Sequence, residues 1–144
     1  MPITAAGDVP LLHPLHAILL AFPIAFFSGA LVSDITYLNS AQIQWSNFAA
    51  WLIAAALLFG GLVLVWAIAV AVGHRRGRGR RPMLYLILLA AMWIIGLVNA
   101  FQHSQDGWSS VGTAGLLLSI LSTLLALAAG WVGYSGLRRA GEQR

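Results

Sequence analysis

The chain has 144 residues, of which 60% are hydrophobic and only 8% are charged, and its mean hydropathy of +0.84 lies far outside the range of soluble globular domains. It contains no cysteine, which excludes disulfides, thiolate zinc sites, iron–sulfur clusters and covalently attached c-type haem. The net charge is +4, but every basic residue is an arginine at the end of an apolar segment, a pattern of topology signals that argues against a nucleic-acid partner.

The first predicted transmembrane helix covers residues 14–37 and aligns its polar residues on one face. A spacing of about 3.6 residues connects His16, Pro23 and Asp34, so we expect this face to point inward. Pro14 suits the first turn of a helix, whereas Pro23 removes a backbone donor and should bend the helix. The segment lacks a basic n-region and is too long for the h-region of a signal peptide, so we expect it in the mature protein.

Three further apolar spans, at 47–72, 83–101 and 111–134, predict an all-α integral membrane protein. We treat residues 1–144 as a single four-helix transmembrane domain, and the short connections make it an antiparallel bundle. The basic loop at 74–82 and the arginine-containing tail fall on the same side after an even number of crossings. The positive-inside rule therefore predicts that both termini are cytoplasmic.

The later helices also have distinct faces. In the third span, Tyr85, Asn99 and His103 share one face, which we expect to be buried. The fourth span carries a strip of small residues, which allows another helix backbone to come close. Its members are Gly112, Gly115, Ser119, Ser122, Ala126, Ala129 and Gly133. The second span has a milder version, made of Ala50, Ala54, Gly60 and Gly61. Such faces predict a homodimer.

Histidines near the cytoplasmic boundary suggest a haem site. A b-type haem between helices needs axial nitrogens at one membrane depth, and His16 could be paired with His74 or with the same residue of a second copy. The alternative is structural: His13 and Pro14 begin the helix, His16 lies at the boundary, and His74 caps a helix C-terminus. His16 is our first candidate ligand for haem iron or another metal, and His103 is the second. His13 and His74 are further candidates for binding the cofactor.

A second polar group is predicted at the opposite boundary. Asp34, His103 and Asp106 could converge on a metal ion or exchange a proton. A simpler interpretation, which we favour, is a hydrogen bond between an aspartate and a histidine that locks two helices together. Met83 and Met92 are interpreted as packing residues. We find no nucleotide-binding glycine loop, no GxSxG and no HExxH pattern.

Several segments together resemble a known family. LHPLHAILLAFPIAFFSGALVSDITYL, WSNFAAWLIAAALLFGGL and LVNAFQHSQDGW with GLLLSILS are similar to bacterial four-helix membrane proteins grouped as a domain of unknown function. Leu12-His13-Pro14, Phe22-Pro23, Asp34 and Asn99 match its pattern, whereas Pro82-Met83-Leu84 and Val70-Ala71-Val72 stand where many relatives have a histidine and an aspartate. The resemblance implies a bacterial inner membrane and association with a periplasmic quinoprotein sugar dehydrogenase or a cytochrome.

Two functions follow as hypotheses. The first is a small redox subunit that binds haem b through histidine and passes electrons between a periplasmic donor and the quinone pool. The alternative is a non-catalytic membrane anchor or assembly protein for a periplasmic dehydrogenase, in which the polar residues only connect helices. A carrier that uses Asp34 is disfavoured, because no ionisable residue is predicted at the middle of the bilayer, where such proteins place their sites.

Overall fold

The computed structural model describes residues 13–73, 80–105 and 111–142, with side chains up to residue 135. It contains four helices in these ranges, each long and apolar enough to span a membrane. Their bounds are α1 Pro14–Ser40, α2 Ile43–Gly73, α3 Arg80–His103 and α4 Thr113–Glu142. The expectation of an all-α, four-helix membrane bundle is confirmed, and the lipid bilayer is its environment.

Local side-chain bonds explain how α1 begins and ends. His13 is the N-cap, where its Nδ1 accepts a hydrogen bond from the backbone N–H of Leu15 at 3.3 Å, and Pro14 follows in the first turn, where a missing N–H costs nothing. At the other end, Ala41 adopts a left-handed φ of 55° and its N–H donates to the carbonyl of Tyr37. Asn39 and Ser40 bond back to helical carbonyls. The helix therefore runs past the predicted residue 37.

The four helices form a closed ring in which each contacts its two neighbours along the chain, with α4 returning to α1. α1 and α3 lie diagonally and run in the same direction. Long side chains of α1 cross the interior to reach α3, and Phe27 does so at mid-bundle, where it lies against Gly96. The space between the two diagonal helices is thus filled by long side chains.

The inward faces of α1 and α3 are confirmed residue by residue. On α1 the predicted stripe from His16 through Pro23 to Asp34 is buried, and the helix continues through Pro23 without interruption. On α3 the buried set includes Tyr85, Asn99 and His103. These are the residues whose polar spacing indicated an interior face.

The small-residue strip of α4 packs inside the bundle. All of its predicted members from Gly115 to Gly133 are buried, whereas Gly112 is exposed. Because this strip is covered by the other helices of the same chain, it does not provide the dimer face that the sequence suggested. The homodimer stays a prediction without that support.

The small-residue strip predicted on α2 is divided between the interior and the outer surface. Ala54 is exposed, Ala50 and Gly61 are half-buried, and Gly60 is buried. The buried residues are Ser46, Ala49, Ile53, Ala56, Gly60 and Val63. α2 carries apolar residues on all sides, so no polar marker in its sequence distinguishes the inner face from the lipid face.

Candidate functional site

Two polar clusters lie at opposite ends of the bundle. The Asp34 cluster consists of Asp34, Asn99, His103 and Ser119, and the His16 cluster consists of His13, His16, Trp66 and Tyr85. Along α1 the two clusters are 18 residues apart, from 16 to 34, and along α3 the same interval separates 85 from 103. At 1.5 Å per residue this is about 27 Å, close to the thickness of a bilayer's hydrocarbon core.

The Asp34 cluster is built around a buried carboxylate. Oδ1 of Asp34 lies 2.9 Å from Nε2 of His103, and the two side chains are 0% and 1% exposed. Nδ1 of His103 lies 3.0 Å from the carbonyl oxygen of Asn99, one turn earlier on α3. That second bond orients the ring so that Nε2 faces α1. The hydrogen bond between Asp34 and His103 that we favoured from the sequence is therefore confirmed.

α4 completes the cluster through Ser119. Its hydroxyl donates to Oδ2 of Asp34 at 2.5 Å and accepts from Nδ2 of Asn99 at 2.9 Å. Three helices thereby meet at one carboxylate. Two buried atoms on the facing helices, Oδ1 of Asn99 and Oγ of Ser122, have no hydrogen-bond partner among the described residues. Ser119 was predicted only as a small packing residue; its presence in α4 near the depth of Asp34 was the signal for a partner.

The His16 cluster joins α1, α2 and α3. Nε2 of His16 is 2.8 Å from the hydroxyl of Tyr85. Its ring lies edge-on to Trp66, with centroids 5.4 Å apart, and His13 stacks on the same indole at 6.0 Å. Trp66 was not among the predicted site residues, because nothing in the apolar sequence of α2 separates this tryptophan from lipid-facing ones.

Two predicted site residues, His74 and Asp106, lie outside the described residues. His16 and His103, the first and second candidate ligands, lie at opposite ends of the bundle and cannot bind the same iron or metal ion. Among the described residues no group of three or more histidine or acidic side chains could hold a metal ion. At the Asp34 end, Asp34 and His103 meet as a pair, which we treat as an interhelical lock.

His103, and His16 through its Nε2, do not fit a haem iron as they are placed. Both ring nitrogens of His103 are hydrogen-bonded, and Nε2 of His16 is held by Tyr85. Ligation through His103, or through Nε2 of His16, would break one of these interhelical contacts. The haem b ligands therefore stay a prediction.

Other polar bonds tie the helices together outside the two clusters. Trp93 donates from Nε1 to the carbonyl of Leu57 at 3.1 Å, and Thr123 donates to the carbonyl of Phe27 at 3.0 Å. Near the His16 end, the hydroxyl of Tyr134 donates to the carbonyl of Ala17 at 2.8 Å, and the guanidinium of Arg81 bonds Ser135. In a membrane, where apolar burial does not drive helix association, such bonds and close packing hold the bundle.

The fold and the two clusters define a four-span membrane bundle with interhelical polar locks. The sequence profile of a family described as "Predicted membrane protein (DUF2231)" matches residues 12–141. The chain therefore belongs to this family, which confirms the expected kind of family, a membrane domain of unknown function. No curated protein and no solved structure matches the chain.

Proposed function

We propose that the chain is a non-catalytic membrane anchor or assembly protein. One observation carries this proposal: the buried histidines of the described residues bond to side chains on other helices, His16 to Tyr85 and His103 to Asp34. Intramembrane ionisable residues are functional candidates by default, but here their hydrogen-bonding capacity is used to connect α1 with α3. The expected partner is a periplasmic dehydrogenase at a bacterial inner membrane, as the family resemblance implies.

A groove on the outside of the bundle also supports a structural role. It is an apolar groove of about 430 Å³ on the outer surface of α1 and α4, lined by Ile24, Leu127, Gly130, Trp131, Tyr134 and Ser135. Tyr134 is its only titratable lining residue, and the hydroxyl of Tyr134 is bonded to the carbonyl of Ala17. Its lining includes no general base that could activate the hydroxyl of Ser135 for catalysis.

The outer surface fits a protein embedded in lipid. Large apolar side chains point outward along the helices, and Trp51 and Trp131 are 77% and 79% exposed. A surface of this composition is stable only against acyl chains or another membrane protein. An anchor needs such a surface together with a rigid interior, and the two polar locks supply rigidity at both ends.

The competing proposal is the redox subunit that binds haem b between a periplasmic donor and the quinone pool. One observation favours it: His13 and His16 lie within one turn of α1 beside the indole of Trp66, and His13 is exposed. A ligand approaching from this boundary would meet both imidazoles. The two proposals differ in what they require of His16.

Replacing both partners of the His16 bond separates the proposals. In the double variant His16→Leu/Tyr85→Phe the two polar groups are removed together, so no buried atom loses its partner and the bundle should fold. We expect recruitment of sugar dehydrogenase activity to the membrane fraction to be unchanged, and no Soret band in either purified protein. Dehydrogenase activity lost while the enzyme is still recruited would contradict the anchor. A reducible b-type spectrum present in the native chain and absent from the double variant would establish the redox subunit.

A further inference from the structure

The hydrogen bonds of the Asp34 cluster determine where its protons lie. Nδ1 of His103 is 3.0 Å from the carbonyl oxygen of Asn99, and because a carbonyl can only accept, Nδ1 carries a hydrogen. The hydroxyl of Ser119 accepts from the amide of Asn99 and donates its single hydrogen to Oδ2 of Asp34. Neither of these hydrogens lies between His103 and Asp34.

The contact between Nε2 of His103 and Oδ1 of Asp34, at 2.9 Å, requires one hydrogen more. A neutral imidazole protonated at Nδ1 presents a lone pair at Nε2, and an ionised carboxylate presents only lone pairs. Two lone pairs at this distance repel each other. An additional proton must therefore lie between them, either on an imidazolium that faces a carboxylate or on a neutral carboxyl group that donates to the imidazole.

From this proton count we infer that Asp34 and His103 form a proton-binding site, whose single exchangeable proton is a structural part of the contact between α1 and α3. Release of the proton leaves an ionised carboxylate against the lone pair of Nε2. The contact then opens, or the imidazole hydrogen moves to Nε2 and the bond to the carbonyl of Asn99 is lost. Either way the diagonal lock at this end of the bundle loses one of its bonds.

Among the described residues, Asp34 and His103 are the titratable pair at this end of the bundle. α2 has no titratable side chain between Ile43 and Gly73, and the part of α4 with described side chains has only Tyr134, at the far end. α3 brings its arginines and Tyr85 to the opposite end, and α1 adds the half-buried Tyr37 one turn after Asp34.

His103 is the last residue of α3 and is followed by the exposed Ser104. The pair therefore lies at the end of the bundle, where the path of a proton to the aqueous phase is shortest.

Nitrogen NMR on the native chain tests the proton count directly. The chain has four histidines, and ¹⁵N-histidine labelling with a His103→Gln reference assigns the ring signals of His103. At neutral pH we expect Nδ1 to be protonated and Nε2 to share a proton with the carboxyl group. At alkaline pH Nε2 should become an unprotonated nitrogen, or the hydrogen should move from Nδ1. A neutral ring that carries its only hydrogen on Nε2 throughout the titration would overturn the inference.

The Asp34→Asn variant supplies a matched control. The amide can donate to Nε2 of a neutral His103 and accept from Ser119, so every bond is kept without the exchangeable proton. Because the folded native pair holds a proton that the unfolded chain releases, the melting temperature of the native chain in lipid nanodiscs should fall as the pH rises from neutral to alkaline. That of the variant should not, and both share the same tyrosines and arginines. Parallel pH curves would contradict the site, and if the variant fails to fold, the NMR measurement decides.

Discussion

At the scale of single residues, the role of a buried serine in this bundle depends on whether its hydroxyl has a partner. Ser119 and Ser122 are on the same face of α4 and are 1% and 0% exposed. Ser119 connects Asp34 with Asn99, whereas Oγ of Ser122 has no partner among the described residues. The two positions form a natural pair for measuring what an interhelical hydrogen bond contributes in a membrane.

We expect Ser119→Ala to destabilise the bundle and Ser122→Ala to leave it unchanged or slightly more stable. The first substitution removes two bonds and should cost about 1–2 kcal/mol, near the upper range for polar contacts between membrane helices. The second removes a hydroxyl that is desolvated without compensation, so the free energy of unfolding should stay within about 0.5 kcal/mol of the native value or rise. Unfolding in mixed micelles, followed by tryptophan fluorescence, measures both. Equal losses would mean that volume, and not hydrogen bonding, sets the contribution of these serines.

At the scale of helices, the middle of the bundle depends on one aromatic ring. Phe27 of α1 is 1% exposed and crosses to α3, where a Cβ atom placed on Gly96 would lie 2.6 Å from its Cζ and 3.2 Å from Cδ2 of Leu57. On the neighbouring α2, a Cβ at Gly60 would lie 3.1 Å from the terminal methyl of Met92. A methionine methyl moves easily, whereas a buried phenyl ring does not.

Gly96→Ala should therefore destabilise the bundle by about 1–3 kcal/mol through overpacking. Gly60→Ala is the control, because the gain of about 1 kcal/mol in helix propensity offsets a small shift of Met92. Chemical denaturation of both variants in the same micelles gives the comparison. A Gly96→Ala protein as stable as the Gly60→Ala protein would show that Phe27 has room to move, and the diagonal packing described above would be wrong.

The sequence predicts membrane depth better than it predicts pairing between helices. His16, Asp34 and His103 mark the inner faces of α1 and α3 because a polar residue in an apolar helix must point away from lipid. α2 has no such marker, so nothing in its sequence indicated that Ala49 and Ala56 face the interior while Ala54 faces outward. Tyr85 was placed on the inner face of α3 from its spacing, but the sequence did not show that it is the hydrogen-bond partner of His16. The depth of a residue in the membrane follows from its position along its helix. Which helix it faces depends on the order of the four helices around the bundle.

At the scale of the whole molecule, the two clusters fix the register of α1 against α3. Both pairs, His16 with Tyr85 and Asp34 with His103, join residues 69 positions apart in the chain. An equal offset at both ends keeps the parallel helices in one register over about 27 Å. Each cluster then lies near one boundary of the hydrocarbon core, where ionisable groups cost less than at the centre. The spacing of the clusters therefore fits the thickness of the bilayer.

The arginines predict which end of the bundle faces the cytoplasm. Five of them fall at positions 75–81 of the sequence, in the connection between α2, which ends at Gly73, and α3, which begins at Arg80. This asymmetry predicts that the His16 cluster faces the cytoplasm. Because the chain has no cysteine, single cysteines report topology without background. Ser104→Cys lies at the Asp34 end and Gly73→Cys at the His16 end, and both positions are exposed. In intact bacteria whose outer membrane admits the reagent, a membrane-impermeant maleimide should label Ser104→Cys, and it should reach Gly73→Cys only after the inner membrane is permeabilised. The reverse labelling pattern would show that the bundle has the opposite orientation, with Asp34 and His103 at the cytoplasmic side.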